Sequence, residues 1–123
     1  MGDIMKYLWI DEYCLNKKGI IKDYQMEWEA TRYLLAGKMV AMIGQNKEKK
    51  DIISLKLDPV YGQFLRSEYK DIVPGYYLNK EHWNSIDLSG DLSDDLLREL
   101  IDQSYALIFK SLTKIKQKEI ENS

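Results

Sequence analysis

Hydrophobic positions in the first third of the chain follow a helical period and then a strand-like one. Apolar side chains at helical spacing predict an amphipathic helix over about residues 3–17, with Gly19 as its stop. Two β-rich apolar runs, 28–35 and 38–44, follow on either side of Gly37. Because glycine takes the positive φ that a tight turn needs, these runs predict a β-hairpin.

The middle of the chain predicts a strand that leads directly into a helix. A polar loop over 44–50 precedes a third apolar run over 51–57. Asp58 and Pro59 then mark a helix start, since Asp accepts hydrogen bonds from free amides at the N-cap and Pro at the first helical position needs no donor. The sequence therefore predicts a β–α junction at this point.

The last third predicts two extended segments, a long helix and a charged end. The segments 72–79 and 82–88 are rich in β-formers, and Pro74 places the first of them at an edge of the sheet or after the proline. Apolar positions over 96–112 recur at helical spacing and predict a long amphipathic helix. The tail from about residue 114 is charged, and we expect it to fray.

The order of these elements predicts one α+β domain spanning residues 1–123. It reads α-β-β-β-α-β-β-α, and the short connections favour an antiparallel five-stranded sheet. Three helices packed on one face would make a two-layer structure and leave the opposite face uncovered. Trp28 and Trp83 lie on that face or in the core, and the alternation of side chains does not decide between the two.

Composition and charge restrict the functional classes and cellular locations that fit this chain. The chain has 123 residues with 18 Lys and Arg against 20 Asp and Glu, a net charge of −2. A nucleic-acid binder normally carries a basic excess, so the bulk charge argues against DNA unless a local patch overrides it. The single cysteine fits a reducing compartment, and no run approaches the roughly 20 apolar residues of a membrane span. We expect a cytoplasmic protein without a membrane segment.

Four segments together carry a family resemblance. The segment IVPGYYLNKEHWNSIDL over 72–88 is close to the pattern PGYHLNKxHWN of the MmcQ/YjbR family of small bacterial proteins. The remaining matches are EWEATRYLLAGKMVAMI over 27–43, ISLKLDP over 53–59 and DLLRELIDQSYALI over 95–108. The chain thus resembles this family over most of its length, although Tyr77 stands where the family pattern has a further His.

The resemblance implies both a fold and a role. The fold would be the α+β arrangement of secretion chaperones, also described as CyaY-like. The role would be DNA binding of the double-wing type. The residues that we expect to serve it are basic or imidazole side chains in predicted strands, loops and turns: Arg32, Lys47, Lys49, Lys50, Lys56, Lys80 and His82.

Each of these candidates also has a structural interpretation. The lysines of the loop over 47–50 would form the tip of a wing on DNA, or they would simply be solvated. His82 would contact phosphate, or it would bond a backbone carbonyl and hold the turn that begins at Asn79. Arg32 and Lys56 would contact phosphate from an uncovered sheet face, or only keep that face soluble.

A second set of residues is aromatic or turn-forming and suggests a surface for a partner. Such side chains stack on bases or bury against helices, and Asn also favours local bonds within turns. The set comprises Trp28, Tyr76, Tyr77, Asn79 and Trp83. An alternative function is therefore a protein- or peptide-interaction domain, or a homodimer that uses the uncovered sheet face, without nucleic-acid binding.

Catalysis, cofactors and metals find little support in the sequence. Cys14 and His82 are the sole members of their types, and Cys14 falls on the apolar side of the first helix. No Gly-rich phosphate loop occurs. The acidic segment over 91–95 lacks the spacing of a calcium loop and is better explained by helix capping. We expect no enzymatic activity, no cofactor and no metal site.

Overall fold

The computed structural model describes residues 2–75 and 78–123, with the side chains of residues 2–5 excepted. The described residues form four helices and one six-stranded sheet. The helices are α1 (Gly2–Leu15), α2 (Pro59–Glu68), α3 (Asp94–Lys110) and α4 (Lys114–Glu121). The strands are β1 (Ile20–Gln25), β2 (Ala30–Leu35), β3 (Lys38–Gln45), β4 (Asp51–Lys56), β5 (Ile72–Pro74) and β6 (Trp83–Asp87). None of these helices is long and apolar enough to cross a membrane.

The sheet is antiparallel throughout and has the order β1-β2-β3-β4-β6-β5. The α+β class is confirmed, but the predicted count of five strands and the predicted element order are wrong because β1 precedes the expected hairpin. β1 lies at an edge and buries none of its side chains fully. A strand of this kind lacks the clear alternation of apolar and polar positions that signals a half-buried strand.

The hairpin of β2 and β3 turns where the sequence predicts. Ala36 and Gly37 both have positive φ, 50° and 80°. The register shifts between Tyr33 and Leu34, and Val40 has no partner in β2. Val40 and its neighbour Ala41 are both buried, so this bulge brings an additional apolar side chain into the protein interior.

Two further local predictions are confirmed. The Asp58 carboxylate accepts hydrogen bonds from the amides of Val60 and Tyr61, both at 3.1 Å, and Pro59 opens α2. β5 is the edge strand opposite β1, and Pro74 is its last residue. β5 is much shorter than the extended segment predicted over 72–79.

The chain from residue 114 forms α4, where the sequence predicts a frayed tail. The Thr113 hydroxyl caps the helix by accepting from the amide of Lys116. Ile120 is buried and packs with Leu35 and Ile108 in a small second core. One buried side chain in eight residues is too weak a pattern to reveal a helix, which explains the difference.

The main core lies between the sheet and the first three helices. We call the side of the sheet that carries Tyr33, Ile43, Ile53 and Ile86 the helix-covered face, because these residues pack against helix side chains. The contributions from the helices are Ile10 and Cys14 of α1, Leu65 of α2, and Leu97, Leu100 and Ile101 of α3. Burial of these aliphatic groups is the main source of stability in such a fold.

The buried hydroxyl of Ser104 is hydrogen-bonded on the helix-covered face, whereas the buried indole N–H of Trp9 has no partner among the described residues. The Ser104 hydroxyl of α3 donates to the Val40 carbonyl at 2.6 Å and accepts from the Lys56 amide at 3.0 Å. It thereby ties the helix to two neighbouring strands, beside the bulge of β3. The Cys14 thiol is also enclosed here, and burial raises its pKa to about 12. Cys14 is thus a packing residue, as its position on the helix predicts.

Candidate functional site

A row of paired residues crosses the opposite side of the sheet, which we call the helix-free face. Since side chains alternate along a strand, residues in register with Arg32 share this face. The row runs Asp23, Arg32, Met42, Ser54, Ser85 and Val73. Its centre is not open to solvent, because Ser54 and Ser85 are only 1% and 2% exposed. The expectation of a fully uncovered face is therefore wrong at the centre of the sheet.

A groove lies on this face between the turn that joins β1 to β2 and the loop that joins β5 to β6. Trp28 of the turn and Leu78 of the loop form its walls, with Met42 of the sheet between them, and its volume is about 400 Å³. Glu27 and Glu29 also line the groove and are exposed. The Trp28 indole is 50% exposed. The groove therefore combines an accessible aromatic surface with two carboxylates.

Arg32 lies against Trp28, which forms one wall of the groove. Its guanidinium donates two hydrogen bonds to Asp23, at 2.9 and 2.6 Å, and its central carbon lies 5.8 Å from the centre of the Trp28 ring. The hydrogen bonds from Arg32 lower the pKa of the Asp23 carboxyl. The positive charge of Arg32 is thus compensated within the chain, and its contact with Trp28 is of the cation–π kind.

The lysine loop between β3 and β4 is well formed and lies at the same end of the sheet as the turn that carries Trp28. The Asn46 side chain accepts from the amides of Glu48 and Lys50, which closes the loop. Lys47 and Lys49 are exposed, and the structure shows no ion pair for either within the described residues. Lys50 lies 3.8 Å from Glu48. The segment predicted as a wing tip is therefore an exposed loop of mixed charge.

Lys56 and Lys80, two further basic candidates, lie at the opposite end of β4. Lys56 is in register with Trp83, and the Lys80 ammonium donates to the Gly75 carbonyl at 2.9 Å. The six residues of β4 separate this end from the lysine loop by about 17 Å. The structure thus divides the basic candidates into separate groups rather than gathering them in one patch.

Asn79 and His82 build the loop between β5 and β6. The Asn79 side chain accepts from the amides of Glu81 and His82, and its carbonyl accepts from the Trp83 amide. The His82 carbonyl accepts from the amide of Leu57 at 2.9 Å. These bonds favour the structural interpretation of Asn79, and they hold the His82 backbone in place. Tyr76 and Tyr77, which the sequence also puts forward, lie outside the described residues.

Gly75 and Trp83 close the base of the same loop. The Gly75 amide donates to the Trp83 carbonyl at 2.7 Å. A Cβ atom at position 75 would lie 2.9 Å from Cβ of Trp83, so only glycine allows this approach. Trp83 is half-buried. Its backbone therefore anchors the loop that carries Leu78 to the groove.

Sequence reasoning missed most of the residues that form the groove. The sequence pattern predicts that Met42 is an ordinary core residue of β3 and that Leu78 is part of a strand. Glu27 and Glu29 flank Trp28 in the sequence, and this Glu-Trp-Glu pattern was the available signal. Across the described residues, no cluster of three or more His, Cys, Asp or Glu side chains could hold a metal ion. In the acidic segment over 91–95, Ser93 caps α3 and accepts from the Leu96 amide.

The fold and the groove together define a class of small α+β proteins, in which helices cover one side of an antiparallel sheet and loops shape the other. A family model described as YjbR matches residues 15–107. The chain belongs to the YjbR family, in agreement with the resemblance of its motifs.

Relatives and solved structures agree with this assignment. The Escherichia coli K12 protein YjbR, itself described as uncharacterized, is 32% identical over 107 residues, which are 87% of this chain and 90% of that protein. The Bacillus subtilis protein YyaQ is 40% identical over 57 residues, 46% of this chain and 48% of that protein. A crystal structure of the Deinococcus radiodurans protein DR2400, with a DUF419 domain, superposes with a TM-score of 0.81 at 30% identity, covering 91% of this chain and 85% of that one.

Proposed function

We propose that this protein is a binding module rather than an enzyme, and that its groove holds a basic, partly apolar segment of another protein. The observation that carries the proposal is the groove between Trp28 and Leu78, with the carboxylates of Glu27 and Glu29 in its lining. Neither carboxylate has an ion-pair partner in the part of the chain that the structure describes. Both charges are therefore available to a cationic ligand.

The chemistry of the groove suits a lysine or arginine side chain. The aliphatic stem of such a residue would pack on Met42 and Trp28 while its charged end stays at the wet rim near the carboxylates. A cation beside an exposed indole gains about 0.5–1 kcal/mol, and an exposed ion pair contributes a similar amount. Neighbouring apolar residues of the segment would cover Leu78.

DNA binding remains a prediction that the charge distribution does not favour. Carboxylates in the groove repel phosphates, and Arg32 is compensated by Asp23. The feature in its favour is the exposed pair Lys47 and Lys49, which lies at the opposite end of β4 from Lys56 and Lys80. A binding experiment with both kinds of ligand therefore separates the two functions.

The test is a titration followed by the indole N–H signals of the protein in nitrogen-15 NMR spectra. The ligands are an amidated peptide of alternating Lys and Leu, its counterpart with Glu in place of Lys, and a short duplex DNA. We expect the basic peptide alone to shift the Trp28 signal. Saturable binding of the duplex with a steep salt dependence, and no response to the basic peptide, would support the DNA-binding alternative instead.

Matched variants locate the site. Trp28→Ala removes the aromatic wall and should abolish the shifts that the basic peptide causes in the backbone amide signals of the groove, whereas Phe64→Ala removes a similarly exposed ring on α2 and should leave these shifts unchanged. The double variant Glu27→Gln with Glu29→Gln should weaken binding by about three- to tenfold, since two exposed ion pairs are lost. Equal binding by the Trp28 variant and the wild type would place the ligand elsewhere.

A further inference from the structure

The two edges of the sheet differ in how well they are protected. β5 is three residues long and ends in Pro74, which offers no amide donor. β1 is six residues long and pairs only with β2 among the described strands, so its outer backbone groups face away from the sheet. An unpaired strand of this length is a template for pairing with another chain.

The charges that would normally guard such an edge are used within the chain. Edge strands avoid association by carrying charged side chains, and β1 has two of them. The Lys22 ammonium lies 2.8 Å from the Asp11 carboxylate of α1, and Asp23 is bound by Arg32. β1 therefore has no uncompensated side-chain charge to repel a second strand.

The same edge carries exposed apolar side chains. Ile21 is 67% exposed on the helix-free side, and Tyr24 is 58% exposed on the other side of the strand. Met26, directly after β1, is 80% exposed. Apolar groups thus flank the unpaired backbone above and below, which favours burial against a partner rather than solvation.

α1 extends this apolar strip on the helix-covered side. Trp9 and Tyr13 face α3, where they contact Arg98 and Asp102. Helical spacing places the exposed Leu8 and Leu15 on the other flank of α1, which is also the flank from which Asp11 reaches β1. One strip therefore consists of the β1 edge and the neighbouring leucine flank of α1.

We propose that this strip is the interface with a second copy of the chain, formed by antiparallel pairing of β1 with β1 around a twofold axis. Such an axis runs perpendicular to the sheet and brings the two α1 helices together on one side. The lengths agree, since β1 spans about 20 Å and α1 about 21 Å. An added peptide strand would pair with β1 but leave Leu8 and Leu15 uncovered, whereas a second copy covers both with identical groups.

Sedimentation velocity over a range from low micromolar to submillimolar concentration tests the proposal. We expect a reversible monomer–dimer equilibrium. Ile21→Lys and Leu8→Glu each place a charge in the strip and should weaken the dimer about tenfold or more. Val60→Lys changes an equally exposed apolar residue on α2 and should have no effect. Circular dichroism should confirm that all variants remain folded.

Hydrogen exchange gives a second readout at the backbone. Amides of β1 that point away from β2 should exchange more slowly as the protein concentration rises, while those of β5 should not change. Sedimentation as a monomer over the whole range, or a dimer insensitive to both Ile21→Lys and Leu8→Glu, would overturn the proposal. Because Trp28→Ala should leave the dimer intact, failure of this interface and failure of the groove are distinguishable.

Discussion

The two faces of the sheet are covered by different means. On the helix-covered face, branched aliphatic residues such as Ile53 and Leu55 pack against α1 and α3 and have no solvent exposure. On the helix-free face, small hydroxyl residues such as Ser54 lie near Trp28 at the bottom of a shallow depression. Small side chains leave room above the sheet that an indole and a loop only partly fill.

This difference indicates that the helix-covered face contributes most to stability and that the helix-free face is better suited to binding a ligand. Close packing of aliphatic groups makes the helix-covered face costly to alter, whereas an exposed indole beside unpaired carboxylates can change with little cost to folding. We therefore expect substitutions on the two faces to separate into effects on unfolding and effects on binding.

The largest expected effect is on the helix-covered face. Ile53→Ala should lower the free energy of unfolding by about 3–4 kcal/mol, because it leaves a cavity in the main core. Val73→Ala on the helix-free face should cost clearly less, since Val73 is 47% exposed. Urea denaturation measures both values, and equal losses would remove the distinction between the faces.

Removal of the Ser104 hydroxyl should have the next largest effect. Ser104→Ala leaves the Val40 carbonyl and the Lys56 amide without their partner at the junction of helix and sheet, at a cost of about 1–3 kcal/mol. Ser67→Ala is the matched control, because its hydroxyl bonds a carbonyl at the surface of α2 and should matter by less than about 0.5 kcal/mol. Thermal denaturation followed by circular dichroism compares the two.

A methyl group at Gly75 should affect the loop over the helix-free face. Gly75→Ala forces its new Cβ against the Trp83 backbone and should cost about 1–2 kcal/mol. The indole signal of Trp83 and that of Trp28 should both shift in NMR spectra, since the loop carries Leu78 into the groove. Unchanged spectra would show that the loop adapts without moving the groove wall.

Acid should weaken the contact of α1 with β1 by a smaller amount. Burial raises the pKa of the Asp11 carboxyl, but hydrogen bonds from Lys22 and Tyr33 outweigh it and hold the pKa below 3.8. The resulting stability is fully present above the unfolded pKa and is lost as the pH falls through the lower folded one. Asp11→Asn should therefore reduce acid sensitivity below about pH 4, by less than about 1 kcal/mol. Urea denaturation of the wild type and the Asp11→Asn variant at neutral and acid pH measures this effect. An identical pH dependence of the two proteins would show that the contact is unimportant.

Trp28 should contribute least to folding, although we expect its substitution to have the largest effect on binding. Trp28→Ala should change the free energy of unfolding by less than about 1 kcal/mol, because the indole is half exposed in a turn. Its partner variant Arg32→Ala should do little more, while releasing the indole from its cation–π contact. A large loss of stability in urea denaturation would assign Trp28 to the core instead.

Elements with strong local chemistry could be predicted from sequence. The Asp58–Pro59 cap, the turn at Gly37 and the edge position of Pro74 follow from backbone conformation and missing donors, and the structure contains all three. β1 and α4 escaped prediction because they bury few side chains, so hydrophobic periodicity gives little signal. Both are held by their neighbours rather than by their own pattern.

The groove could be anticipated only in part. Trp28 stands out in the sequence, but its contact with Arg32 and its position opposite Leu78 depend on strand register and on the course of a loop. The basic candidates illustrate the reverse problem. Lys56 and Lys49 are close in sequence, yet a fully extended strand between them carries them to opposite ends of the sheet.

The enclosed Cys14 thiol of α1 allows the opening of this helix to be measured by chemical modification. Cys14 is 1% exposed and its proton is held tightly, so alkylating reagents can reach it as a thiolate only when α1 detaches from the sheet. With a single cysteine in the chain, the rate of modification measures the opening of this one helix without any engineered label. A partner seated on the outer flank of α1 would slow that rate.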